Sequence, residues 1–254
     1  MSFRTIRQKV ERRLARHLAV KPLRMLSGGA VVSFTFDDVP QSACREGRDV
    51  LEQQGCRATY YACGGFTDTT SSGARMHSRD DLLGLLERGH ELGCHGYRHL
   101  DYQTLSGDEI AQDLSRNRAF FTQMGCASQI ENFAYPYGCV SPSVKSAIGR
   151  EFNSARGVWR GLNCGCADLA LLRAEPLYQS LCTQSSLDEL IDRNAQSKGW
   201  LIFFTHGVVD QPDRFGCTPA LLDYAVRKSL ASGAHVMPIN QALRQVAHPG
   251  KIAT

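Results

Sequence analysis

The stretch VVSFTFDDVP, residues 31–40, decides how the rest of the chain is read. A run of β-forming residues ends in two adjacent carboxylates, Asp37 and Asp38. At the mouth of a buried strand each acid loses hydration and the two repel, so they call for a counter-charge or a metal ion nearby. Read alone, Asp37-Asp38-Val39-Pro40 would also serve as a solvated turn, because Asp and Pro are common turn residues.

The histidines separate these readings. Residues 89–100, GHELGCHGYRHL, hold His95 and His99, and one carboxylate with two imidazoles and an open position is a recurrent hydrolytic metal site. Gly93 and Gly96 argue against a regular helix, so the segment reads as a strand (90–95) running into a loop. A further histidine, His206, closes the apolar run LIFFT at 201–205.

Outward from these points, helical and strand patterns alternate. Helices are expected over 42–54 with Gly55 as the stop, from a cap at Ser78, from a Ser106/Glu109 capping box, from a second box at Ser186/Glu189, and from Thr218-Pro219 onward. Strands are expected at 57–62, 129–135 and 235–239, with weaker candidates at 152–158 and 172–178. Such alternation predicts an α/β fold: a distorted (β/α) barrel of seven or eight mostly parallel strands. Asp37, Asp38, His95, Tyr137 and His206 then all fall at the C-terminal ends of strands.

TFDD at 35–38, His95-Gly-Tyr-Arg-His99, Tyr135-Pro-Tyr-Gly138 and Phe204-Thr-His206, in this order, resemble the polysaccharide deacetylase family, with its NodB-homology, carbohydrate esterase 4-like domain. The resemblance spans about residues 29–242. It implies the NodB-like barrel and a metal-dependent hydrolase that removes N-acetyl or other small acyl groups from an amino sugar. On that pattern Asp38, His95 and His99 hold one divalent ion, zinc first, with cobalt, manganese or iron as alternatives. Asp37 is the general base, His206 the general acid, and a Tyr137 N–H faces the oxyanion. Pro136, Tyr137, Arg156 and Trp159 are assigned to the substrate side.

Two departures stand out. Where the family places an arginine two residues before the motif proline, this chain has Ala134, and Arg156 in Ala155-Arg-Gly-Val-Trp159 is the candidate replacement. The family's Asp-x-x-Asp-Trp element is absent apart from Trp159, so the acidic partner of His206 is unassigned. Ala134 makes a glycan-binding, catalytically impaired member the main alternative. A two-histidine, one-carboxylate iron enzyme is the second, although such sites sit on a double-sheet fold and need no adjacent second acid.

The 254 residues divide into a basic helical arm (1–28), a catalytic domain (29–245) and a C-terminal tail (246–254). Residues 1–25 carry eight Lys/Arg against Glu11 alone, a balance of +7 that leaves −3 of the overall +4 for the remainder. In this arm Phe3, Ile6, Val10, Leu14 and Leu18 recur at helical spacing. The helix either lies on an anionic membrane surface or packs that stripe under the barrel, the arrangement that needs no partner. Charges recurring through Arg16 leave no apolar signal-peptide core, and no stretch approaches a membrane span. The expected setting is therefore cytoplasmic, at the inner membrane face, with a carbohydrate substrate and no nucleic-acid partner. The ten cysteines read as reduced, small core residues, with Cys94 behind the site. His77, His90, His235 and His248 read as structural or solvated.

Overall fold

The computed structural model describes residues 3–26, 28–71 and 73–247, with backbone only for residues 3–5; Phe3 as a side chain, His248 and the tail beyond Ala247 lie outside this description. In chain order the elements begin with α1 (Phe3–His17), β1 (Pro22–Arg24), β2 (Val31–Asp37), α2 (Arg48–Gln53), β3 (Thr59–Ala62), β4 (Thr70–Ser71), β5 (Ala74–Arg75), α3 (Arg79–Glu87) and β6 (Glu91–Cys94). They continue with α4 (Gly107–Gln123), β7 (Asn132–Ala134), α5 (Pro142–Glu151), β8 (Ser154–Arg156), β9 (Cys166–Asp168), β10 (Glu175–Pro176), α6 (Gln184–Ser197), β11 (Trp200–Thr205), α7 (Pro219–Ala231), β12 (His235–Val236) and α8 (Ile239–Ala247).

Eight of these strands form one parallel sheet in the order β10-β11-β2-β3-β6-β7-β8, with β12 paired to the first residues of β2. The sheet curls into a barrel that a ladder does not fully close: its two ends meet at a single parallel bridge, Arg156 to Leu172. The expected strand at 172–178 is split by this duty. Leu172 bonds to β8, and Glu175–Pro176 pairs with β11.

Strand alternation sorts the residues into two layers. On β2, Val32, Phe34 and Phe36 pack outward against α2, α6 and α7, whereas Val31, Ser33 and Thr35 face the interior. On β11, Leu201 and Phe203 face outward, and Trp200, Ile202 and Phe204 inward. The inward phase ends on Asp37, the last residue of β2, and one residue past β11 it reaches His206. The same phase carries Ala134 at the end of β7.

Several expected boundaries move. The helix expected from Ser186 starts three residues earlier, because the Thr183 hydroxyl accepts the Ser186 N–H and caps it. The helix expected over 42–54 opens with a π-helical turn, Ala43–Gly47, before α2. The strand expected at 235–239 ends after Val236, since Pro238 leads directly into α8. The border drawn at 245/246 falls inside α8, where Val246 is buried.

The basic arm is docked rather than appended. β1 pairs antiparallel with β9, and the buried Lys145 ammonium of α5 donates to the Ala15 and Leu18 carbonyls at the end of α1. The expectation that the apolar stripe packs under the barrel is overturned. The face turned inward carries Ala15 and Arg12, while Ile6, Val10, Leu14 and Leu18 each stay about half exposed.

Candidate active site

The inward row of side chains meets at the C-terminal mouth of the barrel. Asp37, the last residue of β2, is buried, and one of its carboxylate oxygens accepts a hydrogen bond from Nη2 of Arg156, the last residue of β8. Arg156 is itself 1% exposed, lies 5.2 Å over the Tyr61 ring and 4.9 Å over that of Phe204, and donates from Nη1 to the Gly157 carbonyl. Burial pushes the Asp37 carboxyl up, but Arg156, with His95 and His206, outweighs it and holds the group below the ordinary carboxylate range.

Asp38 follows with a left-handed backbone (φ 60°), as do Val39 (φ 55°), His99 (φ 54°) and Tyr137 (φ 58°). Four non-glycine residues in this sparsely populated region, gathered at one mouth, mark backbone held in place by its surroundings. Behind Asp38, buried His77 bonds the Val39 carbonyl through both its backbone N–H (3.2 Å) and Nδ1 (3.0 Å). Behind His99, the buried Asp113 carboxylate of α4 accepts from the Tyr97 N–H and the Tyr102 hydroxyl, fixing the loop in which His99 sits.

Asp38, His95 and His99 each direct one donor atom to a common point, all within 4.8 Å of one another. From Asp38 Oδ1 it is 3.6 Å to His95 Nε2 and 3.3 Å to His99 Nε2. Donors bound at about 2.0–2.1 Å around a tetrahedral ion lie roughly 3.3 Å apart, so this set fits a small divalent cation. Asp38 Oδ1 is buried without a hydrogen-bond partner, as a carboxylate kept for a metal would be. His95 donates from Nδ1 to the Ala134 carbonyl (2.8 Å), which leaves Nε2 with its lone pair toward the cluster. Burial pushes His95 down to about 4 and His99, with His95 beside it, down to about 3, so both are neutral as ligation requires. Burial, Asp37 and Asp213 push the Asp38 carboxyl up to about 7, the mark of an acid lacking its counter-charge.

His206 stands across the cluster, its Nε2 3.9 Å from Asp38 Oδ2 and its Nδ1 buried without a partner. Its ring packs against Phe215 and Tyr178, and burial lowers its basicity while Asp37 and Asp213 act in the other direction. Tyr137 lies in the turn Pro136–Gly138 after β7, 63% exposed, with its ring 4.3 Å from that of His99; Pro136 is buried beneath it. Trp159, in the loop after β8, is placed differently. Arg173 lies 3.7 Å over its ring, Arg16 of α1 lies 5.4 Å over it, and His17 of α1 meets its edge. Sequence reasoning missed Asp113 and Asp213, both from segments without motif spacing, while His77 has the structural role expected of it.

The polysaccharide deacetylase family model matches residues 27–151, which carry Asp37, Asp38, His95, His99 and the Tyr137 turn. The chain belongs to the polysaccharide deacetylase family. It is 25% identical over 183 residues to the peptidoglycan-N-acetylglucosamine deacetylase PgdA of Listeria monocytogenes, a match covering 66% of this chain and 36% of that relative. It is 30% identical over 92 residues to a chitin deacetylase of Colletotrichum lindemuthianum, covering 36% of each. The matched region is thus about a third of these relatives' length. Among solved structures, a family 4 carbohydrate esterase from Streptomyces lividans in complex with acetate superposes with a TM-score of 0.58 at 17% identity, over 82% of this chain and 91% of that one. A family 4 pseudoenzyme from Bacillus anthracis gives 0.59 at 17% identity, over 87% and 68%. These likenesses establish the NodB fold. Ala134 stands where the resemblance leads to an arginine being expected, and β7–β8 register pairs Ala134 directly with Arg156.

Proposed function

We propose that this chain is a metal-dependent hydrolase that removes an N-acetyl or similar small acyl group from an amino sugar of a glycan. The observation that carries this reading is the convergence of Asp38, His95 and His99 donors on one point, with the Arg156-held Asp37 on one side and His206 on the other. The three ligands would hold a divalent ion, zinc being suited to two imidazoles and a carboxylate, with cobalt, manganese or iron accepted by the same donors. When bound, such an ion makes water a nucleophile at neutral pH and polarises the acyl oxygen.

The chain's own residues supply the remaining steps. Asp37, kept ionised by Arg156, takes the proton of the attacking water as general base. The backbone N–H of Tyr137, in its left-handed turn at the mouth, is the candidate donor to the developing oxyanion. His206, on the opposite side of Asp38, delivers a proton to the departing amine nitrogen. Burial, with Arg156, holds its basicity below the ordinary imidazole value and Asp37 and Asp213 offset only part of that, so a proton on its ring is readily given up. Tyr137, open to solvent above Pro136, offers a ring face for the sugar. The α/β barrel and the second acid next to the ligand disfavour an iron oxygenase. Asp37→Asn tests the assignment: it is expected to bind metal normally and to release acetate from N-acetylated oligosaccharides at least about a hundredfold more slowly. Unchanged turnover would remove Asp37 as base.

A further inference from the structure

On α1, Ile6, Val10, Leu14 and Leu18 follow one another four residues apart and are 48%, 51%, 48% and 52% exposed. At 3.6 residues per turn they form one continuous apolar stripe that no described residue covers. Exposed basic residues flank it, Arg7 on one side and Lys9 and Arg13 on the other. This is the layout of a helix lying flat in a lipid–water interface, with apolar residues in the acyl boundary and cations at the headgroups.

The placement of α1 gives the stripe a direction. Arg12 bonds Gln103 in the loop after β6, the loop that carries His99, and Arg16 and His17 meet Trp159 in the loop after β8, which starts from Arg156. Lys145 fixes the end of the helix to the body. The helix is thus held rigidly beside the mouth of the site, not at the far end of the barrel.

We infer that the exposed face of α1 is a docking surface for an anionic lipid bilayer and holds the site mouth at the membrane, next to an amino sugar carried on a lipid. Charge decides the occupant. A second copy would present the same basic helix, and two such faces repel, whereas the +7 balance of residues 1–25 complements anionic headgroups. The inference rests on the deacetylase reading only for the identity of the sugar; docking itself is tested separately.

The experiment sediments the full metal-loaded chain with phosphatidylcholine vesicles, with and without phosphatidylglycerol. The intact protein is expected to bind the anionic vesicles preferentially. Val10→Asp/Leu14→Asp, at exposed positions, is expected to weaken that binding roughly a hundredfold or more, and Arg13→Glu roughly tenfold, with unchanged melting temperatures. Acetate release from a soluble N-acetylated oligosaccharide should be the same for the intact chain and Val10→Asp/Leu14→Asp. Binding to neither vesicle type, or equal binding by the intact chain and Val10→Asp/Leu14→Asp, would overturn the inference. So would a solution dimer that the double variant dissociates, which would assign the face to a second copy. Vesicle binding without acetate release from any glycan would leave docking standing and remove the deacetylase reading instead.

Discussion

Arg156 lies directly across the β7–β8 ladder from Ala134, and its guanidinium bonds the carboxylate of Asp37. Directly paired residues of parallel strands point to the same face of a sheet, so a guanidinium on β8 reaches the acid that one on β7 would reach. Arg156 thus supplies, from the neighbouring strand, the positive charge that the resemblance leads one to expect at position 134. Arg156→Met is therefore expected to lower acetate release by about two to three orders of magnitude and, by stranding a buried carboxylate, to cost about 3–5 kcal/mol of stability. Ala134→Arg added to Arg156→Ala should recover at least about tenfold of the lost activity. Steady-state kinetics and thermal melts of the three variants check this; an Arg156→Met enzyme of normal rate would show that the pair is structural only.

Asp38 Oδ1 has no hydrogen-bond donor and lies beside a second buried acid. Substitution by Asn removes a costly charge from the metal-free protein and a ligand from the loaded one. Asp38→Asn should thus melt higher than the parent in chelator and lower than the parent in excess zinc. Differential scanning calorimetry in both media reads the inversion, and a variant that responds to zinc as the parent does would take Asp38 out of the ligand set.

Asp113 touches no ligand, yet it holds the loop that places His99. Gly96 in the same loop has φ 73°, and a Cβ there would stand 2.8 Å from both Asp113 Oδ2 and the Tyr102 hydroxyl. Asp113→Ala is expected to weaken metal binding about 10- to 100-fold while the fold persists. Competition titration against a chromophoric chelator measures this; parental affinity would show that the loop keeps its shape without Asp113.

Far from the site, Asp168 joins three parts of the chain. Its carboxylate lies 2.6 Å from the Lys145 ammonium and accepts the Val20, Lys21 and Ala170 N–H groups. Burial raises its pKa, but these partners outweigh burial and lower it below the ordinary value. A carboxyl lowered on folding stabilises the native state above its unfolded value of about 3.9, and that contribution is lost as pH falls through the folded value. Asp168→Asn should cost about 2–3 kcal/mol at neutral pH, with the gap from the parent closing below about pH 4. Urea titrations across pH check the closure; a gap independent of pH would point to packing rather than charge.

The fold was legible because β2 and β11 are apolar on both faces and are followed by polar residues in the inward phase, which is what a buried parallel strand leading to a site requires. Asp37 and His206 stood out for the same reason, and Asp38, His95 and His99 as a carboxylate and two imidazoles at strand ends, which the structure gathers at one mouth. The pairing of Arg156 with Asp37 depends on the ladder register of β7 and β8, which no local pattern specifies. Asp113 and His77 act through hydrogen bonds between segments many residues apart, and Asp213 through its charge, so none has a spacing signature. The orientation of α1 was misjudged because periodicity reveals a stripe but not which side faces the body; the short Ala15, the Arg12–Gln103 bond and the Lys145 contacts settle it.

The most direct test is acetate release from an N-acetylglucosamine oligosaccharide by the purified chain before chelation, after it, and after zinc is restored. Activity is expected to disappear with the metal and to return with it. Turnover that survives complete metal removal, or a fully zinc-loaded protein that releases no acetate from any N-acetylated glycan, would contradict it.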